Sequence, residues 1–266
     1  MRILIILFIL LPLAAFSQSP LNQTDASGLR QGMWQKKYPN GRLMYEGRFA
    51  DNRPVGEWKR YHDNGALRAV LEHRAGNDTV DARLFDTNGK LMAEGQYVNE
   101  KKTGTWTHYS GERKISEETY VNDLRHGKSR IFYPGGELLE ETTYADNQKT
   151  GPYKAYFITG KPFLECTYAY DLRQGFCVTY YPSGAMEVDA RYQDGLPDGD
   201  WKYFTETGEL RYTLKYREGE LLNPEVLLQV ETQILENLES QGKILLDPEK
   251  YMDDPTEYLL QNQKQP

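Results

Sequence analysis

Glycine recurs along this chain at a fixed interval: Gly32, Gly56, Gly104, Gly127, Gly151, Gly175 and Gly199 stand 24, 48, 23, 24, 24 and 24 residues apart. The 48 is two periods, because Val80 occupies the position where a glycine is due. A second glycine follows nine residues after most markers, at Gly41, Gly65, Gly89, Gly136, Gly160, Gly184 and Gly208. Eight residues further on comes an aromatic or its substitute: Phe49, His73, Tyr97, Tyr144, Tyr168, Tyr192 and Tyr216. Such periodicity means that one supersecondary unit is copied, and that each copy buries its apolar side against the next. The single 23-residue unit is short in the turn around Ser110-Gly111-Glu112, where a hairpin best tolerates a deletion.

The unit reads as a β-hairpin. Its turn is spelled Pro39-Asn40-Gly41, Asp63-Asn64-Gly65, Pro134-Gly135-Gly136 or Pro182-Ser183-Gly184, and such dipeptides supply positive φ cheaply. After the turn, even offsets carry Leu43, Tyr45, Gly47 and Phe49, while odd offsets carry Glu46 and Arg48. Period-two alternation predicts a half-buried antiparallel strand. The strand before the turn reads as shorter and aromatic, with Trp58 and Tyr61, or Trp106 and Tyr109. The expected fold class is therefore an all-β repeat array: an extended antiparallel meander of about eight 24-residue β-hairpins, sixteen strands in all, with a C-terminal amphipathic helix.

The pattern Gly-x-Trp-x-x-Tyr, Asn-Gly-x-Leu, then Glu and Tyr before the next glycine resembles the variant MORN repeat, most clearly in Gly32–Phe49, Gly56–Glu72, Gly104–Tyr120 and Gly199–Tyr216. The resemblance covers about residues 32–222. It implies a scaffolding or contact role without catalysis, and the label of YwqK-type antitoxin that many bacterial proteins of this pattern carry. The third unit departs from it: Val80 and Ala82 replace the marker glycine and the tryptophan, and residues 74–78 before them are the expected site of a bend or irregular loop.

The two ends read differently. Arg2, an apolar run from Ile3 to Phe16 and small residues before Gln18 have the layout of a secretory signal peptide, with cleavage expected after Ser17. The run is interrupted by Pro12 and is shorter than the roughly 18 to 20 apolar residues that cross a bilayer. This predicts a periplasmic or secreted mature chain without a transmembrane segment. Residues 18–31 read as a linker, 32–222 as repeats and 223–266 as a helical cap and tail. Asn223 and Pro224 open the helix, Leu227, Val230, Ile234 and Leu238 recur on one side, and Glu231, Glu236 and Glu239 lie opposite. It is predicted to end near Gly242, with a second short helix from Asp254-Pro255. Its expected job is to cover the last hairpin; a docking helix for a partner is the alternative. Cys166 and Cys177 could pair, but the favoured reading is two small buried residues in repeat columns.

The chemistry-bearing residues do not converge. His62, His73, His108 and His126 fall in different repeat columns without zinc spacing. Glu46, Glu94, Glu141 and Glu165 recur by register, which predicts a charge-balanced wet face rather than an acid–base pair or a calcium site. No catalytic residue, metal or cofactor is therefore expected. The charge of −7 is concentrated at the carboxyl end, where residues 223–266 hold nine Asp or Glu against three Lys, so nucleic acid is not an expected partner. The expectation is an exported, non-enzymatic scaffold for a protein partner or a second copy. Its candidate aromatic contact surface comprises Trp34, Trp58, Tyr61, Trp106, Tyr109, Tyr133, Tyr181 and Trp201. The alternative is a carbohydrate or cell-wall binder that stacks sugars on those rings.

Overall fold

Each repeat turns twice, and the two turns use different chemistry. At the first, the Gly41 N–H donates to Tyr38 O at 2.9 Å and the Tyr38 N–H to Arg42 O at 2.8 Å, with Gly41 at φ +84°. The same closure recurs at Gly65, Gly89, Gly136, Gly160, Gly184 and Gly208. The second turn has two residues, both left-handed: Asp51-Asn52, Asn99-Glu100, Asp146-Asn147, Tyr170-Asp171, Asp194-Gly195 and Glu218-Gly219. Positive φ at both central positions is the type I′ geometry that matches strand twist, and Asn and Asp tolerate it best among side chains with a Cβ.

The computed structural model describes residues 20–74, 76 and 78–240. The predicted signal peptide and its cleavage site, the predicted helix end near Gly242 and the short helix after Asp254 lie outside the described residues. The chain divides into two units at Asp123 and Leu124. The first holds β1 (Gln23–Thr24), β2 (Arg30–Lys37), β3 (Leu43–Ala50), β4 (Arg53–Tyr61), β5 (Leu67–His73), β6 (Thr79–Phe85), β7 (Leu91–Val98), β8 (Lys101–Ser110) and β9 (Arg113–Val121). The second holds β10 (Leu124–Phe132), β11 (Leu138–Ala145), β12 (Gln148–Tyr156), β13 (Pro162–Ala169), β14 (Leu172–Tyr180), β15 (Met186–Gln193), β16 (Leu196–Pro197), β17 (Gly199–Phe204), β18 (Leu210–Arg217), β19 (Glu220–Leu221) and α1 (Pro224–Ser240). Within each unit successive strands pair antiparallel, β15 taking both β16 and β17. The repeat array is thus all-β, as expected, with three departures in detail.

There are nineteen strands among the described residues rather than sixteen. The additions are β1, inside the segment read as linker, the break at Asp198 that separates β16 from β17, and the terminal β19. Second, the strand before the turn is not regularly the shorter one: β4 runs nine residues against seven in β5, whereas β6 runs seven against eight in β7. It begins at Arg53, so the marker Gly56, at φ +64°, lies inside it, where the register slips from Glu46↔Lys59 to Arg48↔Val55. A β-bulge of this kind needs a left-handed residue. Val80 cannot supply one cheaply, and β5 and β6 accordingly keep unbroken register from His73↔Val80 to Ala69↔Leu84. Between the two strands the Arg74 N–H donates to Thr79 O at 3.3 Å. Third, the alternation read after the turn fails at its first position. Arg60 faces Ala69 but Tyr61 faces Leu67, which puts Leu67 on the same face as the Tyr61–Glu46 pair.

An asparagine binds backbone groups of β2 in the first unit and of β18 in the second. Asn22 donates its N–H to Met33 O at 2.9 Å and accepts from Gln35 N–H at 2.8 Å. Asn223 accepts from Lys215 N–H at 2.7 Å and donates to Thr213 O at 2.9 Å. These bonds occupy backbone groups that would otherwise template another strand. The Asn223 side chain therefore serves β18 rather than capping α1.

The core is one column per repeat, filled by exchange of volume across each second turn. Gly47 leaves room for Trp58, since a Cβ there would lie 2.2 Å from the indole, and Gly95 does the same for Trp106 at 2.4 Å. Leu71 stands opposite Ala82, Cys166 opposite Cys177, and Ala190 precedes Trp201. The missing tryptophan of the third unit is thus compensated by its neighbour.

Candidate interaction surface

The eight aromatic residues read from the sequence as one contact surface occupy three columns with separate tasks. Trp34, Trp58, Trp106 and Trp201 form the core column. Trp106 is 0% exposed and Trp58 7%, while Trp34 and Trp201 are half-buried. Trp58, Trp106 and Trp201 donate their indole N–H to Arg48 O, Gln96 O and Arg191 O at 3.0, 3.1 and 2.9 Å, each in the preceding repeat. Trp34, with no repeat before it, donates to Gln31 O instead. Trp58 and Trp106 therefore offer no ring for a sugar to stack on.

Tyr61 and Tyr109 point to the opposite face and donate to Glu46 and Glu94, each at 2.6 Å. Burial, then the Glu46 contact, pushes the Tyr61 phenol up to about 12; the Glu94 hydrogen bond, then burial, does the same for Tyr109. Tyr133 and Tyr181 sit at the turns and donate to Tyr156 O and Phe204 O at 2.9 and 2.8 Å, locking each turn to the next repeat. His62 Nε2 takes the equivalent place 3.1 Å from Phe85 O, and His73 fills the ring column against Trp58, so both act as column substitutes. Burial lowers the pKa of His73 and of His108.

One recurrent feature escaped the sequence reading. A cation two residues before the marker glycine lies over the rings that close the core: Arg30 3.8 Å from Phe49, Lys102 4.5 Å from Trp106, Arg125 4.1 Å from Tyr144 and Arg173 5.1 Å from Tyr192. Lys149 bridges Tyr153 and Tyr168, 5.4 Å from each. Desolvated cation–π contacts of this type contribute about 1–2 kcal/mol, and here they cover aromatics that a single sheet would leave wet. The signal was available as a basic residue at constant spacing, but its partner lies on a neighbouring strand.

The wet face is charge-balanced as expected. Lys128 and Arg130 hold Glu141 at 2.9 and 2.8 Å, and Lys154 holds Glu165 at 2.8 Å. Although burial works against it, these cations keep Glu141 below the usual carboxylate range. In the first unit this face opens into a cavity of about 640 Å³ lined by Val70, Glu72, Asp81, Arg83, Glu94 and Gln96. In the second unit apolar side chains stand exposed on strands and turns: Ile158, Phe163, Phe176 and Leu210, with Tyr170 77% exposed.

Cys166 and Cys177 are bonded to each other, correcting the reading of two free core thiols. The column assignment holds, since both are buried; direct opposition on β13 and β14 brings them together. α1 touches β18, but Leu228, Ile234 and Leu235 remain 46–63% exposed. Its coverage of the last hairpin is therefore partial.

Four segments, residues 54–73, 80–99, 125–146 and 197–218, match the MORN repeat variant, so the chain carries repeats of this type. No curated protein matches the chain. Among solved structures, the TcdB2–TccC3 crystal structure is similar at 14% identity and TM-score 0.19, over 70% of this chain and 13% of that one. A Photorhabdus luminescens Tc holotoxin pore structure is similar at 13% identity and TM-score 0.19, with the same coverage. The chain spans 13% of the length of each.

Proposed function

We propose that this array of MORN-variant repeats is an exported, non-enzymatic scaffold that holds protein partners on its sheet surface. The observation that carries the reading is how the recurrent polar groups are spent. Glu46, Glu94, Glu141 and Glu165 are each engaged by a phenol, amide or cation of the sheet itself, which makes them girders rather than reagents. Among its exposed side chains the second unit presents the large apolar residues Phe163, Phe176, Ile158 and Leu210, a residue type that contact sites bury. The Cys166–Cys177 disulfide favours an oxidising compartment, in line with the apolar amino-terminal segment. An antitoxin normally meets its toxin in the cytoplasm, so the antitoxin label is not part of this proposal.

The test is photocrosslinking in the native cell. A crosslinker at Phe163 or Phe176 should capture a specific protein, while one at Trp106 should capture none. Absence of any adduct from both exposed positions would overturn the reading. Export is read from the amino-terminal sequence of the purified chain, expected to begin at Gln18.

A further inference from the structure

We propose that α1 of one copy docks on the first two hairpins of a second copy. The charge along the chain is strongly divided: residues 30–68 hold nine Lys or Arg against four Asp or Glu, whereas residues 186–240 hold five against thirteen. At the acidic end, α1 carries glutamates and no Lys or Arg, with Glu225 and Glu231 exposed three residues on either side of Leu228, itself 63% exposed. Six residues of helix rise roughly 9 Å. At the basic end, Lys36 and Arg60 flank Tyr45 in one cross-strand row, Lys36↔Tyr45 on β2 and β3 and Tyr45↔Arg60 on β3 and β4. Two strand spacings separate them by roughly 9.6 Å.

Both surfaces thus present charge, apolar group, charge at nearly the same interval and with opposite sign. Lys36 and Arg60 are exposed, Tyr45 and the adjacent Trp34 half-buried, and neither cation is ion-paired with a described residue. A helix lying across β2, β3 and β4 sets Leu228 on Tyr45 and its glutamates on the two cations. Pairing of α1 with another α1 is disfavoured, because it would oppose like charges along its length. Edge-to-edge strand addition is disfavoured by Asn22 and Asn223, which occupy backbone groups of β2 and β18.

This deepens the scaffold reading by naming one partner, and sedimentation of the purified full chain tests it. Association should depend on concentration and weaken in high salt. Reversal of one side, Glu225→Lys with Glu231→Lys, or Lys36→Glu with Arg60→Glu, should weaken it about tenfold or more, the scale of two lost ion pairs with a displaced apolar contact. All four changes in one chain should restore it. All four positions are exposed, and unchanged circular dichroism confirms folding. A chain monomeric at every concentration, association indifferent to either reversal, or failure of the fourfold variant to recover would each overturn the proposal. A monomer that still crosslinks to another protein through Phe163 would refute self-docking while leaving the scaffold reading intact.

Discussion

Replacing Gly95 by alanine tests the packing rule on which the array depends. Gly95 lies outside the left-handed φ region, so the backbone accepts alanine and, sterics apart, the change should stabilise by about 0.5–1 kcal/mol. The new Cβ, however, would meet three Trp106 ring atoms at 2.4, 2.5 and 2.6 Å, where carbon contacts settle near 3.5–4.0 Å. The indole must move by about 1 Å. That motion strains the Trp106 N–H bond to Gln96 O and lifts the ring from Lys102, in a site with no exposed surface to relax into. Overpacking of about 1–3 kcal/mol and a weakened hydrogen bond of about 1 kcal/mol, less the backbone gain of about 0.5–1 kcal/mol, leave a net loss of about 1–3.5 kcal/mol. Urea unfolding followed by tryptophan fluorescence reads it directly. A companion variant, Gly95→Leu with Trp106→Ala, copies the Leu71–Ala82 exchange and should be more stable than either single change. A neutral Gly95→Ala, or a companion no better than its parents, would refute volume exchange as the organising rule.

Removing the disulfide through Cys166→Ala with Cys177→Ala should cost about 3 kcal/mol, the chain-entropy value for a loop with this sequence separation of 11; a reducing agent should produce a similar drop in melting temperature in the parent alone. Tyr61 and Tyr109 are raised to about 12 in the folded chain. The stability they contribute is therefore complete below the ordinary phenol value of 10 and lost as pH climbs from there towards 12; absorbance at alkaline pH should show late-titrating phenols, one fewer in Tyr109→Phe. The depressed His73 works in the other direction: it stabilises above the ordinary imidazole value of 6.5 and that contribution fades as pH falls below it, so acid sensitivity on that side should diminish in His73→Phe. Asn223→Ala frees Lys215 N–H and Thr213 O and should cost about 1 kcal/mol, with increased aggregation measured by light scattering.

The repeat was legible because its punctuation is covalent and local. A turn that demands positive φ restricts the residue at that position whatever surrounds it, so Gly41 and its successors mark the hairpins by spacing alone. The second turn is just as strict, yet it is written in Asp51-Asn52, Asn99-Glu100 and Tyr170-Asp171, a set too varied to register as a repeat without the backbone angles. Bulges are harder still. The step from Ala69 to Leu67 opposite Arg60 and Tyr61 leaves no mark in hydrophobicity, and it moves a leucine to the other face. The aromatic residues divide for a related reason: Trp58, Tyr61 and Tyr181 share a composition, but a residue's face and its cross-strand neighbours decide whether it is core, girder or latch.

The worn third unit shows why such arrays tolerate drift at their most conspicuous positions. Loss of a tryptophan at Ala82 would open a cavity of the kind that costs several kcal/mol, unless the facing position grows, and Leu71 stands where Gly47 and Gly95 stand elsewhere. Loss of the marker glycine at Val80 removes the bulge, and β5 and β6 keep one unbroken register. For the tryptophan the compensating residue lies on the adjacent strand, not within the same hairpin. The physical unit of packing is therefore the junction between two hairpins. Glycine, alanine, leucine, cysteine and tryptophan all occupy this column, and Gly47 with Trp58, Gly95 with Trp106 and Leu71 with Ala82 each set a smaller residue against a larger one.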